Sequence, residues 1–91
     1  MAESKVGPPA VTAAQIRGWM LDRIAHYTRR QPGDLDPDAD VRDLGLASVQ
    51  AMALVGDLGE RFGLDLDPAA AWAFPSPTLL SQFVHEELAH R

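Results

Sequence analysis

Ser48 stands in the run Asp43-Leu44-Gly45-Leu46-Ala47-Ser48-Val49, a hydroxyl just after a glycine turn and at the mouth of an amphipathic stretch. A serine works as a nucleophile only where a general base and an orienting third group meet it. The available histidines, His26, His85 and His90, all lie in helical patterns and read as solvated helix residues. Gly-x-Ser-x-Gly is absent, and the pattern argues against a hydrolase. A second constellation is Asp34-x-Asp36-x-Asp38-x-Asp40. A calcium loop of the EF-hand kind needs glycine at its sixth position and glutamate at its twelfth. Counted from Asp34 these are Ala39 and Gly45; counted from Asp36 they are Val41 and Ala47. Both registers fail, Pro37 interrupts the run, and no dedicated metal site is expected. Ser48 then reads in two ways: a point where a group is attached, or an ordinary helix N-cap.

The elements that must hold Ser48 are legible from spacing. Thr12-Ala13-Ala14-Gln15 has the capping-box pattern, and Ile16, Met20, Ile24 and Tyr27 recur at helical intervals. This predicts a first helix over 12–30, stopped by Gln31-Pro32-Gly33. The stretch 31–47 is long for a loop, but Leu35, Val41, Leu44 and Leu46 are spaced to pin it across a bundle. The second helix starts near Ser48, buries Leu54, Leu58 and Phe62, and ends at Gly63. Asp67-Pro68 and Ser76-Pro77 each read as N-cap plus proline at the first helical position. The first pair opens a short helix through Trp72. The second opens a last helix carrying Leu80, Phe83, Val84 and Leu88. No strand alternation appears. The fold class is all-α, a small bundle of three main helices and one short one, with a long loop between the first two. Residues 1–11 are expected to form a flexible tail and 12–91 the domain. A phosphodiester on Ser48 would sit at a helix N-terminus, where anions are favoured.

Composition bounds the partners. With 91 residues, the chain has room for one modest core and little cleft. It has no cysteine, which suits a reducing cytoplasm and means that any thiol chemistry must use an imported thiol. No apolar run reaches membrane-spanning length. The net charge of −5 argues against nucleic acid. Residues 34–67 carry nine acids against Arg42 and Arg61, so the acidic half surrounds Ser48 and would steer a basic partner toward it.

Taken together, these motifs resemble the acyl carrier proteins of fatty-acid and polyketide synthesis. The resemblance rests on Asp36-Pro37, on Val41-Arg42-Asp43-Leu44-Gly45-Leu46-Ala47-Ser48, and on Leu54, Leu58 and Phe62-Gly63. Leu64-x-Leu66-x-Pro68 and Phe74-x-x-Pro77-Thr78 complete it, and together they cover roughly residues 12–90. It implies a non-catalytic monomeric carrier with 4′-phosphopantetheine, taken from coenzyme A by a phosphopantetheinyl transferase, on the Ser48 oxygen. Further implied partners are a ketosynthase and an acyltransferase or acyl-AMP ligase. By position, Ala47, Val49, Met52, Ala53, Asp57 and Glu60 are the residues that would face partner enzymes.

The chain departs from the family at three places. Aspartate usually precedes the serine, where this chain has Ala47, which bears on the choice of transferase. Ala53 and Gly59 stand where many fatty-acid carriers hold acids, a surface closer to polyketide carriers. The run 48–58 also looks like carriers loaded by acyl-AMP ligases. Peptidyl carriers are the nearest rival, although their typical Gly-Gly-His/Asp-Ser motif differs from Gly45-Leu46-Ala47-Ser48. A module of the same fold, unmodified at Ser48, is the other alternative.

Overall fold

The computed structural model describes residues 11–90, so the tail expected over 1–11 lies, except for Val11, outside the described residues. Four α-helices form the bundle: α1 (Ala13–Thr28), α2 (Ser48–Phe62), the short α3 (Ala70–Ala73) and α4 (Pro77–Ala89). One 3-10 turn, Pro32–Asp34, interrupts the long loop. Helix α1 packs on both α4 and α2, and α3 packs on α2.

Helix α1 starts as its sequence demands. The Thr12 hydroxyl accepts the Gln15 N–H at 3.1 Å, and the Gln15 side chain accepts the Thr12 N–H at 2.8 Å. Its C-terminal end comes earlier than expected. Arg29 turns left-handed (φ 59°, ψ 40°), and the Arg29 and Arg30 N–H groups both donate to the Ala25 carbonyl. The helix therefore stops at Thr28, before Pro32-Gly33, and Arg29 and Arg30 lie beyond it. A left-handed arginine is an uncommon C-cap, since glycine normally takes this conformation. Helix α2 ends on Gly63 in the left-handed conformation (φ 72°), as the sequence predicts.

The short helix starts two residues later than the sequence predicts, with Ala69 rather than Asp67 as its N-cap, and ends one residue later, at Ala73. The Asp67 carboxylate accepts the Ala69 N–H at 2.9 Å, so Pro68 and Ala69 form a turn and regular helix begins only at Ala70. In α4 the expected grammar holds: the Ser76 hydroxyl accepts the Leu79 N–H at 3.1 Å, with Pro77 opening the helix.

Ile16, Met20 and Ile24 of α1, Ala51, Leu54, Val55 and Leu58 of α2, and Leu80 and Val84 of α4 form the centre of the core. Burying each large aliphatic side chain contributes about 1.5–3 kcal/mol. The loop anchors join them, with Leu35, Val41, Leu44 and Leu46 all buried. Tyr27 and Phe62 are half-buried at the edge, Phe62 meeting Trp19 of α1 edge-on at 5.8 Å.

Two backbone hydrogen bonds fasten the loop to the far end of the chain. The Val41 N–H donates to the Pro75 carbonyl at 2.8 Å, and the Thr78 N–H donates to the Pro37 carbonyl at 2.9 Å. They satisfy polar groups that burial would otherwise strand. They also explain how so long a loop is held without regular structure. Among the described residues, no helix is long and apolar enough to cross a membrane.

Candidate functional site

The turn before Ser48 is built by alternation. Leu44 and Leu46 point into the core, and exposed Gly45 lies between them with φ 107°. A Cβ at Gly45 would stand 3.4 Å from the Thr28 Cγ2, and a side chain rarely tolerates that backbone conformation. The Leu46 N–H closes the turn on the Val41 carbonyl at 3.2 Å. With two leucines anchored, the chain must emerge at Ala47 and Ser48, and both are exposed.

Ser48 is not the N-cap. That position belongs to Ala47 (φ −72°, ψ 161°), whose carbonyl accepts the first helical bond, from the Ala51 N–H at 2.9 Å. Ser48 is the first residue of α2, so the ordinary-cap reading of its hydroxyl is corrected by one position. Alanine offers no side-chain acceptor. Instead the Gln50 carboxamide oxygen reaches back to the Ala47 N–H at 2.9 Å, half of a capping box. Gln50 stands three residues after Ala47, which is the sequence signal for this contact. The N–H groups of Ser48, Val49 and Gln50 have no partner among the described residues. Backbone donors of this kind suit an anionic group.

The acidic run does other work. The Asp36 carboxylate accepts the Asp38 N–H at 2.9 Å, and Asp40 binds both the backbone and the side chain of Arg42. Arg42 beside it lowers the Asp40 carboxyl to about 2. Among the described residues, no group of three or more His, Cys, Asp or Glu could hold a metal ion. Of the histidines, His26 and His90 are exposed, His85 is half-buried, and His90 Nδ1 lies 2.8 Å from the Glu86 carbonyl of its own helix.

The residues expected to face partners divide into two groups. Val49 is 67% exposed and Met52 is 40% exposed, large apolar side chains left in solvent beside Ser48. Ala53 and Glu60 are also exposed. Asp57 instead faces α1. Its carboxylate accepts the Tyr27 hydroxyl at 2.7 Å and an Arg23 guanidinium N–H at 3.0 Å. The hydrogen bond to Asp57 raises the Tyr27 phenol above its ordinary value, with burial adding to it. This seam was not visible in the sequence, because the three residues come from two helices. Nor was the Arg42 guanidinium, which lies 5.8 Å from the centre of the Trp72 ring of α3. On another side of α2, Val55, Gly59, Leu64 and Leu66 line a groove under the connector to α3.

Known proteins share this arrangement. Residues 18–84 match the family described as "Phosphopantetheine attachment site". A phenolphthiocerol/phthiocerol polyketide synthase polypeptide of Mycobacterium tuberculosis is 31% identical over 71 residues, 78% of this chain. The chain spans only about 4% of that polypeptide's length. A free-standing peptidyl carrier protein of Acinetobacter baumannii superposes with a TM-score of 0.78 at 29% identity, covering 84% of this chain and 95% of that one. An acyl carrier protein of Anabaena sp. PCC 7120, described as having a variant phosphopantetheinylation-site sequence, gives 0.79 at 25% identity over 97% and 99%. The chain thus belongs to the phosphopantetheine-binding carriers, non-catalytic helical bundles that work by bearing a phosphopantetheine arm.

Proposed function

We propose that Ser48 bears the arm and that the chain carries acyl intermediates for polyketide or related secondary-metabolite assembly. The observation that supports this most directly is the exposed Ser48 hydroxyl at the start of α2, beside backbone N–H groups without partners. In the attachment step the Ser48 oxygen bonds to the phosphorus that carries pantetheine in coenzyme A. The pyrophosphate link breaks, adenosine 3′,5′-bisphosphate leaves, and the hydroxyl proton passes to the transferase. Once attached, the arm supplies a terminal thiol that holds acyl groups as thioesters, a function the cysteine-free chain has no residue of its own to perform.

The chain's own part is placement and recognition. Val49, Met52, Ala53 and Glu60 of α2, with Ala47 just before it, are exposed and mostly apolar, while Asp57 is half-buried against α1. The partners are a phosphopantetheinyl transferase, a ketosynthase, and an acyltransferase or acyl-AMP ligase, with the reaction in the cytoplasm. The mycobacterial synthase supports the polyketide assignment. The Acinetobacter structure favours a second reading, a peptidyl carrier, in which the arm would hold an aminoacyl group.

Incubation with coenzyme A, magnesium and a broad-specificity transferase should add one phosphopantetheine mass. Ser48→Ala should add none while losing about 0.5 kcal/mol of stability or less, because this exposed residue is not the cap. Failure of several transferases to add the mass would sink the reading and favour an unmodified interaction module.

A further inference from the structure

We infer, on the reading that Ser48 bears the arm, that Arg42 is a positioning residue for its attachment: the guanidinium ties the short helix α3 to the turn that presents the serine.

Arg42 lies inside that turn. Its carbonyl accepts the Gly45 N–H at 3.1 Å, and the Leu46 N–H donates to the carbonyl of neighbouring Val41 at 3.2 Å. One carboxylate fixes the whole residue. Asp40 accepts the Arg42 backbone N–H at 2.8 Å, the Nε–H at 3.1 Å and an Nη2–H at 2.9 Å. The two side-chain bonds form a fork, so the guanidinium cannot swing away without losing both. Held in this way, it lies 5.8 Å from the centre of the Trp72 ring. That is within the roughly 6 Å over which a cation is drawn to an aromatic face.

Trp72 belongs to a helix of four residues whose cap, Ala69, supplies no side-chain hydrogen bond. The ring is 41% exposed, so burial in the core does not fix it. Helix α3 packs on α2, the helix that opens with Ser48. Immediately before Arg42, the Val41 N–H donates to the Pro75 carbonyl at 2.8 Å. Adjacent loop residues thus grip the segment 72–75 twice, once by backbone and once by side chain. A displaced α3 would release Arg42, and the turn would present Ser48 in more than one pose. A transferase binds only the competent fraction, and its apparent affinity falls by that fraction.

The test follows transfer of phosphopantetheine from coenzyme A by a broad-specificity transferase, with KM for the carrier and kcat read separately. Every protein is assayed well below its melting point. Arg42→Ala and Trp72→Leu should each raise KM about two- to fivefold with kcat unchanged, the size expected of an exposed cation–aromatic contact. The double variant should cost no more than either single one, because both remove the same contact. Trp72→Phe keeps a ring face and should recover most of the loss. Amide hydrogen exchange gives a readout independent of modification: Trp72→Leu should speed exchange at Gly45 and Leu46, far earlier in the chain. Lower melting points with KM unchanged would make the contact merely structural and overturn the inference. Effects of the two variants that multiply would overturn it as well, as would unchanged exchange at Gly45 and Leu46 in Trp72→Leu. Each of those results leaves Ser48 as the attachment point. A natural protein that gains no mass would instead remove the Ser48 assignment, and the role of Arg42 in attachment with it.

Discussion

At the residue scale, the glycines of α2 show how much of this chain is decided by what lies opposite. Gly56 and Gly59 look alike in the sequence, three apart on one helix. A Cβ on Gly56 would meet nothing within 4 Å, but one on Gly59 would stand 2.6 Å from the Leu64 carbonyl oxygen. Gly56→Ala should therefore stabilise the protein by about 0.5–1 kcal/mol, the ordinary helical gain of alanine over glycine. Gly59→Ala should destabilise it by about 1–3 kcal/mol, since the connector over that face must shift. Urea denaturation of the two variants checks both signs. No local pattern separates these glycines, because the returning connector arrives from outside the helix. Ser48 was different: the alternation Leu44-Gly45-Leu46 states in the chain itself which residues go in and where the hydroxyl must come out. What the chain did not state was the cap register, a matter of one residue set by backbone angles at Ala47.

At the scale of elements, helix identity and order were legible because burial imposes a period, and three of the start signals are written as side-chain oxygens next to the first turn. The C-terminal end of α1 was not legible, since a left-handed Arg29 has no compositional mark. The seam between α1 and α2 was equally hidden. Asp57 lies between exposed Gly56 and buried Leu58, and its turn toward Arg23 and Tyr27 depends on how the two helices cross. That seam has an alkaline signature. The Tyr27 phenol is raised above 10.0 in the folded protein, first by its bond to Asp57. Its contribution to stability is thus fully present below the unfolded value, about 10, and is lost as pH rises through the higher folded value. The natural protein should lose stability over that alkaline window, while Asp57→Ala should start less stable and show a smaller alkaline loss. Ultraviolet titration of the phenol together with denaturation at several pH values measures both. A phenol titrating at its ordinary value in the natural protein would refute the coupling.

For the whole molecule, the loop over 31–47 matters most, because it runs from α1 to the serine and touches both ends of the fold. Its acid side rests on Asp40, which Arg42 holds down at about 2 rather than 3.8. The contribution of this pair is present above about 4 and is lost as pH falls toward about 2, the direction expected for a depressed carboxylate. Carboxyl titration by NMR should find Asp40 low in the natural protein and close to its ordinary value in Arg42→Ala. A low Asp40 in that variant would show that another group is responsible. The loop's apolar anchors could be read from the sequence; its two hydrogen bonds to Pro75 and Thr78 could not, since they join segments far apart in the chain. Those same two bonds carry an expectation about the order of events during folding. Contacts between distant segments form late, after the entropy of closing the intervening chain has been met. A growing polypeptide that has not yet produced α4 already contains the run Asp43 to Ser48. It lacks the Thr78 N–H that the Pro37 carbonyl accepts, so the loop leading to Ser48 is expected to be fully fastened only once α4 has docked.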